Sequence, residues 1–498
     1  MPALARFAAI AAVVIGIPLR FVTSSHLWLD EALSVDISRL PVADIPAALR
    51  HDGHPPLYYV LLHGWMGVFG EGDMAVRALS GVLAVAALPL AWAAGRRVAG
   101  VAGGWWCVAL FALCPFLVRY GTETRMYALV TLLVLAGWLL VQRALERPEL
   151  GRLAPVSVVS GALLLSHYWS MWFLGATVLV LGWHARRNDA ARRVLVAVVA
   201  GSVLFVPWLP SMLDQAAHTG TPWAGPVRPT TMVATSLTDL GGGDFAEATL
   251  FGFAVLALFV LGLAGRTSSD RTVELDVRGV PGLRAEAAVI GLTLAIATAA
   301  GYATHTTFAS RYVAVIVPLF LLVAAAGGSR LPGRDASVVV LAGVLVLGAI
   351  GSGHNVTTDR TQVGVIAEHI RADARPGDLV VVCPDQLGPS VHRLVPGNLV
   401  QLTYPPSSLS PDRVEWRDYE KRNGASDPHA FAADVSSQAA HAHAVWVVSS
   451  GSYRTLEGQC EAILGDLSSR MAATVVVVED GDAYFEHAQL TRFAGSAP

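Results

Sequence analysis

Two carboxylates stand side by side in an apolar setting at Leu27-Trp28-Leu29-Asp30-Glu31-Ala32-Leu33. A partly dehydrated carboxylate sits in the environment a general base exploits. Further along come His51, then His54-Pro55-Pro56-Leu57-Tyr58-Tyr59, and then Arg119-Tyr120 with Glu123, Arg125 and Tyr127. His167-Tyr168-Trp169 follows, then a polar stretch over 211–246 with Asp214, His218, Trp223 and Asp244, then His305 and Ser310-Arg311-Tyr312. An arginine such as Arg311, turned inward, suits a phosphate, because a guanidinium matches two oxygens at once. Each signal alone has an ordinary explanation: a solvated acidic loop, a Glu123 ion pair, a satisfied histidine, a snorkelling arginine.

What distinguishes these residues is their common side, and the elements that position them establish it. The chain has 498 residues, 54% hydrophobic and 15% charged, with mean hydropathy +0.52. A soluble chain carries about 25% charged residues. The deficit is confined to residues 1–353, and 354–498 read as an ordinary soluble domain. A helix needs roughly 20 apolar residues to cross the hydrocarbon core. Such runs lie near 5–22, 76–95, 101–118, 126–143, 153–168, 170–185, 194–210, 247–265, 286–304, 311–328 and 336–353, about eleven spans. The shorter apolar segment 55–70, opened by two prolines, reads as an interfacial or re-entrant helix.

Arginine distribution orients the chain. With a cytoplasmic N-terminus the inside loops hold Arg96 and Arg97, then Arg143, Arg147 and Arg152, then Arg186, Arg187, Arg192 and Arg193. Arg266, Arg271, Arg278 and Arg284 follow, and finally Arg330 and Arg334. A cleaved signal peptide is the alternative for the first run, but it continues to Phe21–Val22 without a clean small-residue cleavage site. An odd number of spans puts the C-terminal domain outside. The polar motifs then share the extracytoplasmic side, where ionisable groups at a membrane boundary mark function. Their convergence predicts one outward polar cavity ringed by helix ends.

Other classes are poorly served. The net charge of −3 gives no basic face for nucleic acid. No Walker motif or strand-linked G-x-G-x-x-G is present. The four cysteines lack metal-ligand spacing: Cys107 and Cys114 read as packing residues, and Cys383 and Cys460 could form a disulfide in an exported domain. Strand-like runs at 378–384, 444–448 and 474–478, with helix-like stretches at 363–375 and 455–470, predict a small α/β sandwich. Asn355-Val-Thr357 matches a glycosylation sequon.

The succession Trp28-Leu-Asp30-Glu31, His54-Pro55-Pro56-Leu57-Tyr58-Tyr59, Trp65, Phe69-Gly70 and Arg77 resembles the GT-C membrane glycosyltransferases. It is similar within them to the superfamily of protein O-mannosyltransferases and lipid A aminoarabinose transferases. Glu123-Thr-Arg125-Met-Tyr127 matches that superfamily's second outside motif, and Ser310-Arg311-Tyr312 with Pro318 resembles a late one. The resemblance spans residues 5–330 and implies an α-helical polytopic membrane protein of GT-C type in a bacterial plasma membrane. It implies a polyprenyl-phosphate sugar donor, with mannose the first expectation and arabinose, glucose and amino sugars open, and a protein, glycolipid or polysaccharide acceptor. Asp30 becomes the expected catalytic base of a single inverting displacement. Glu31, His54 and Glu123 would orient acceptor or sugar, and Arg311 with Arg125 would neutralise the leaving phosphate. Tyr58, Tyr127, His167, His305 and Tyr312 complete the expected substrate-binding set; no metal or cofactor is expected. A transporter or flippase of lipid-linked saccharides is the alternative, but it calls for polar groups near the midplane and internal repeats.

Overall fold

The computed structural model describes residues 1–219, 225–269, 272–276, 278, 281–451 and 453–495; Trp223 and Arg271 lie outside the described residues. Among the described residues six helices are long and apolar enough to cross a membrane: Asp73–Leu113, Tyr127–Glu146, Asp189–His218, Ala246–Ala264, Arg284–Thr304 and Arg334–Thr357. Four shorter apolar helices join them: Ala3–Leu19, Leu57–Phe69, Leu150–Leu164 and Val317–Gly328.

The 41-residue stretch Asp73–Leu113 folds back on itself at Ala99 and Gly100, where Gly100 takes φ 64°. A Cβ on Gly95 would lie 2.4 Å from the Gly103 carbonyl oxygen, and Gly104 sits against Trp92. This is a tight antiparallel hairpin that only glycine permits, and Arg96 and Arg97 stand at its turn.

The following run breaks at Cys114, and a separate short helix Pro115–Gly121 begins there. Pro115 has no N–H to offer the Phe111 carbonyl four residues back. Arg20, buried at the end of the first helix, supplies the missing donors. Its guanidinium bonds the Phe111 oxygen at 2.6 Å and the Ala112 oxygen at 2.8 Å. Arg119 therefore lies on a separate short helix, and Glu123 and Arg125 lie in the turn that follows it.

The two ends of the bundle differ. At one end Arg97 pairs with Glu146 and Arg152 donates to the Arg143 carbonyl at 2.8 Å. The opposite end carries the short helices Leu29–Ser38, Ile45–Asp52 and Pro229–Leu240 and the 3-10 turn Ser310–Val315. The C-terminal part docks on that second end.

Helix Arg334–Thr357 carries the chain past residue 354 before the C-terminal part begins. Its Asn355 is buried and donates to the Pro115 carbonyl at 3.2 Å, so the sequon lies within helix packing. Five strands form a mixed sheet in the order Val400–Thr403, Leu379–Cys383, Ala444–Ser449, Gln489–Ala494, Ala473–Val477. The first three are parallel and the last two antiparallel to their neighbours. Alternation splits the side chains between two faces. Val380, Val382 and Trp446 pack on helix Val363–Asp373, whereas Leu379, Val381 and Val445 pack on Pro428–Gln438 and Gln459–Arg470. Cys383 and Cys460 form a disulfide between sheet and helix on the second face.

That second core also contains Trp28, Leu29 and Leu33. The helix carrying Asp30 and Glu31 is therefore packed into the C-terminal domain as well as onto the bundle.

Candidate active site

Helix Leu29–Ser38 starts where Leu29 donates its N–H to the Glu486 carboxylate at 3.1 Å. Glu486 is buried and also accepts from the Ser390 hydroxyl at 3.2 and 3.1 Å. Burial pushes the Glu486 carboxyl up to about 8, against these hydrogen bonds. The C-terminal domain thus caps the helix that bears the acidic pair.

Successive helical residues are turned by about 100°, so Asp30 and Glu31 face different surroundings. Glu31 is fully buried and takes a two-pronged contact from Arg77, at 2.7 and 2.6 Å. It also accepts the Thr124 N–H at 2.9 Å, and Arg360 lies 3.6 Å away. Burial raises its pKa, but Arg77 and Arg360 outweigh burial and hold the carboxyl below its ordinary value. Arg77 spends its remaining donors on the carbonyls of Ser25 and His26.

Arg360 also reaches to within 3.6 Å of Glu123, whose other cation, Arg119, stands 4.0 Å away. Neither Glu123 oxygen accepts a hydrogen bond among the described residues. Burial pushes this carboxyl up, and the two arginines offset only part of it. Glu123 therefore lies behind the site as a buried carboxylate ringed by arginines.

Asp30 is the member of the acidic pair that keeps access, with 17% of its side chain exposed. Its Oδ2 lies 3.6 Å from Arg311 and 3.8 Å from Arg125. Among the described residues that oxygen accepts no hydrogen bond. Arg125 is fixed from several sides: it donates to the Asp30 carbonyl at 3.3 Å, Ser34 at 3.1 Å, Tyr59 at 3.3 Å and His54 Nε2 at 2.9 Å. A guanidinium only donates, so His54 Nε2 must accept and Nδ1 must carry the proton. Nδ1 faces Asp52 at 2.9 Å, which also accepts from the Tyr59 hydroxyl at 2.9 Å.

Arg311 stands over the Trp28 ring at 5.9 Å and beside Tyr312. An aromatic wall continues from it: Tyr312 to His167 at 5.4 Å, His167 to Tyr127 at 5.7 Å, and Tyr312 to Trp169 at 5.5 Å. A carboxylate, the hydrogen-bonded Arg125, the Arg311 guanidinium and flat apolar surfaces thus converge on one end of the bundle. Such a set can take a proton from a hydroxyl and hold an anion beside it.

Residues 53–210 match the family described as dolichyl-phosphate-mannose-protein mannosyltransferase. Over nearly its whole length the chain superposes on ArnT from Cupriavidus metallidurans bound to undecaprenyl phosphate. The TM-score is 0.61 at 14% identity, covering 97% of each chain. The chain has the GT-C glycosyltransferase fold. Apo ArnT superposes with TM-score 0.62 at 13% identity, again over 97% of each chain. The Archaeoglobus fulgidus oligosaccharyltransferase in complex with Zn and sulfate follows at 0.50 and 12%, over 89% of this chain and 67% of that one. No curated protein matches the sequence.

Within this GT-C fold, Asp30, His54, Arg125, Tyr127, His167, Arg311 and Tyr312 come together. Glu31 and Glu123 sit one layer behind. Tyr58 lies there too, with its hydroxyl 3.0 Å from Ser80. His305 is not brought in: it is exposed and ends helix Arg284–Thr304 with φ 52°. His51 pairs with Glu415 at 2.8 Å, Asp214 with Arg417, and His218 with Asp418 at 3.2 Å. These three hold the C-terminal domain to the bundle, whereas Asp244 is exposed.

The sequence reading missed Asp52, Arg360, Glu486 and Asp239. Asp239 faces Arg119, Ser310, Arg311 and Tyr120 from helix Pro229–Leu240, and burial pushes its carboxyl up. Asp52 could have been found from its place between His51 and His54. The other three are single charges in unremarkable context, brought close only by tertiary packing.

Proposed function

We propose that this chain is an integral membrane glycosyltransferase that moves a sugar from a polyprenyl-phosphate donor to an acceptor hydroxyl. The observation that carries the reading is Asp30, a partly exposed carboxylate whose buried Oδ2 lies between Arg125 and Arg311 and accepts no hydrogen bond among the described residues. The fold shared with ArnT bound to undecaprenyl phosphate supports the lipid-phosphate donor. The match to a mannosyltransferase family supports mannose as the first sugar to test.

In this reading the acceptor oxygen attacks the anomeric carbon from the face opposite the phosphate. Asp30 takes the hydroxyl proton as the new carbon–oxygen bond forms. The bond from sugar to phosphate breaks, and its electron pair leaves with the polyprenyl phosphate. Arg311 draws away from Asp30 to the phosphate, with Arg125 as the second cation, so charge is met where it builds. Configuration inverts because one displacement occurs.

Apolar helices of membrane-spanning length support a multi-pass protein. Arginine at the turns opposite the site argues that the site and the C-terminal domain face the extracytoplasmic side of a bacterial plasma membrane. The Cys383–Cys460 disulfide fits that compartment. The division into 1–353 and 354–498 belongs to the same proposal, although helix Arg334–Thr357 runs past that limit; protein, glycolipid and polysaccharide remain the acceptor classes to assay.

The test is transfer by the purified protein supplied with polyprenyl-phosphate mannose and, in parallel, arabinose, glucose and amino-sugar donors, with Asp30→Asn alongside. Transfer lost in the variant supports the reading. Full transfer by Asp30→Asn removes Asp30 as base, and lipid-linked saccharide crossing a bilayer without transfer favours the flippase alternative.

A further inference from the structure

At the arginine-bearing end, remote from Asp30, a cavity of about 340 Å³ opens between helices Tyr127–Glu146, Leu150–Leu164, Trp169–Ala185, Asp189–Ala200 and Arg284–Thr304. Its wall is largely aliphatic and aromatic, with Val134, Phe173 and Leu319 among the apolar residues. Glu286 breaks that pattern. It lies in the first turn of Arg284–Thr304 and is only 5% exposed. Its Oε1 accepts the Trp138 indole N–H at 2.9 Å. Its Oε2 is buried with no hydrogen-bond partner among the described residues, and no described cation acts on it.

A carboxylate in an apolar cavity with one oxygen unmet is costly unless something supplies a donor or a positive charge. We propose that this cavity binds a phospholipid whose headgroup ends in a primary ammonium. One acyl chain fills the apolar wall and the ammonium bonds Glu286 Oε2. Three features favour this occupant over a free metabolite. The cavity lies between helices of membrane-spanning character, so its natural solvent is acyl chain. Glu286 is within one turn of its helix start, the depth at which headgroups meet the hydrocarbon. His184 and Asn188 line the same cavity and flank the turn bearing Arg186 and Arg187. That turn's positive field complements the lipid phosphate while Glu286 complements the ammonium. The volume suits a single chain and leaves the second in the bilayer.

Purified full-length protein, delipidated in mild detergent, would be titrated with phosphatidylethanolamine, phosphatidylcholine and phosphatidylglycerol of identical chains. Retention would be read by native mass spectrometry and stability by Tm. The ethanolamine lipid should bind on the order of tenfold more tightly than the other two, because only its headgroup brings both a positive charge and an N–H donor to the carboxylate. Glu286→Gln should erase that preference. Thr177→Phe, which fills the cavity from a partly exposed wall, should remove lipid retention for all three. Equal retention of the three lipids, or a preference unchanged in both variants, overturns the proposal. Thr177→Phe leaves Glu286 in place, so it tests the cavity independently of how well Glu286→Gln folds.

Discussion

Asp30 and Glu31 are adjacent in the chain, yet Glu31 is sealed against Arg77 at 2.6 Å while Asp30 keeps access beside Arg311 at 3.6 Å. The helix turn between them separates a structural carboxylate from one available for chemistry. The two should therefore fail differently. Asp30→Asn should keep the wild-type Tm and lower transfer by at least about 10²-fold, the usual loss for a general base. Glu31→Gln leaves Arg77 buried without its paired carboxylate and Arg360 with Glu123 alone, and should cost about 3–5 kcal/mol of stability. Thermal melting and initial rates on both variants check this; equal loss of Tm in the two would refute the division.

Arg311 is expected to act on the leaving group. Arg311→Ala should lower kcat on the order of 10²–10³-fold, the cost of removing one transition-state donor. Arg311→Lys should recover only part of this, since an ammonium is a point charge without the two-pronged match to phosphate. A kcat fully restored by lysine would show that charge alone suffices.

Much of this site was legible because its residues cluster in short motifs. Asp30 in its apolar frame, His54 before paired prolines, Glu123 with Arg125, and Arg311 with Tyr312 all lie in continuous polar stretches between apolar runs. The arginine-bearing turns separated one end of the bundle from the other. Other features depended on long-range contact. Arg360 and Glu486 come from a domain that begins after the last apolar helix, and nothing local ties them to Asp30. The break at Pro115 was missed because the residues on both sides are apolar, and hydropathy does not register a lost N–H. In the C-terminal domain, strands Leu379–Cys383 and Ala444–Ser449 were visible as buried apolar runs. Val400–Thr403 and Gln489–Ala494 were not, because polar residues interrupt them.

The tautomer of His54 provides a subtler test. Arg125 donates to Nε2, so Nδ1–H must point at Asp52. Asp52→Asn can turn its amide N–H toward Nδ1 and favour the proton on Nε2, where it opposes Arg125. Activity should fall by about tenfold or more, approaching the His54→Ala value, with little change in Tm. Asp52→Asn transferring at the wild-type rate would show that the histidine's orientation does not matter for turnover.

Glu486 should give the protein a pH-dependent stability. Its native pKa of about 8 lies above the roughly 4.3 of an unfolded glutamate. Between those values the native state binds more protons than the unfolded one, so stability falls as pH rises. The contribution is fully present below about pH 4.3 and is lost by the time pH passes about 8. Burial is the main cause, and the neighbouring Asp30 charge adds to it. Glu486→Gln keeps an acceptor for the Leu29 N–H but cannot ionise. The Tm difference, variant minus wild type, should therefore grow from pH 5 to about pH 8 and level off above it, while other titrating groups cancel. Parallel melting profiles across that range would mean that the Glu486 carboxyl titrates alike in both states.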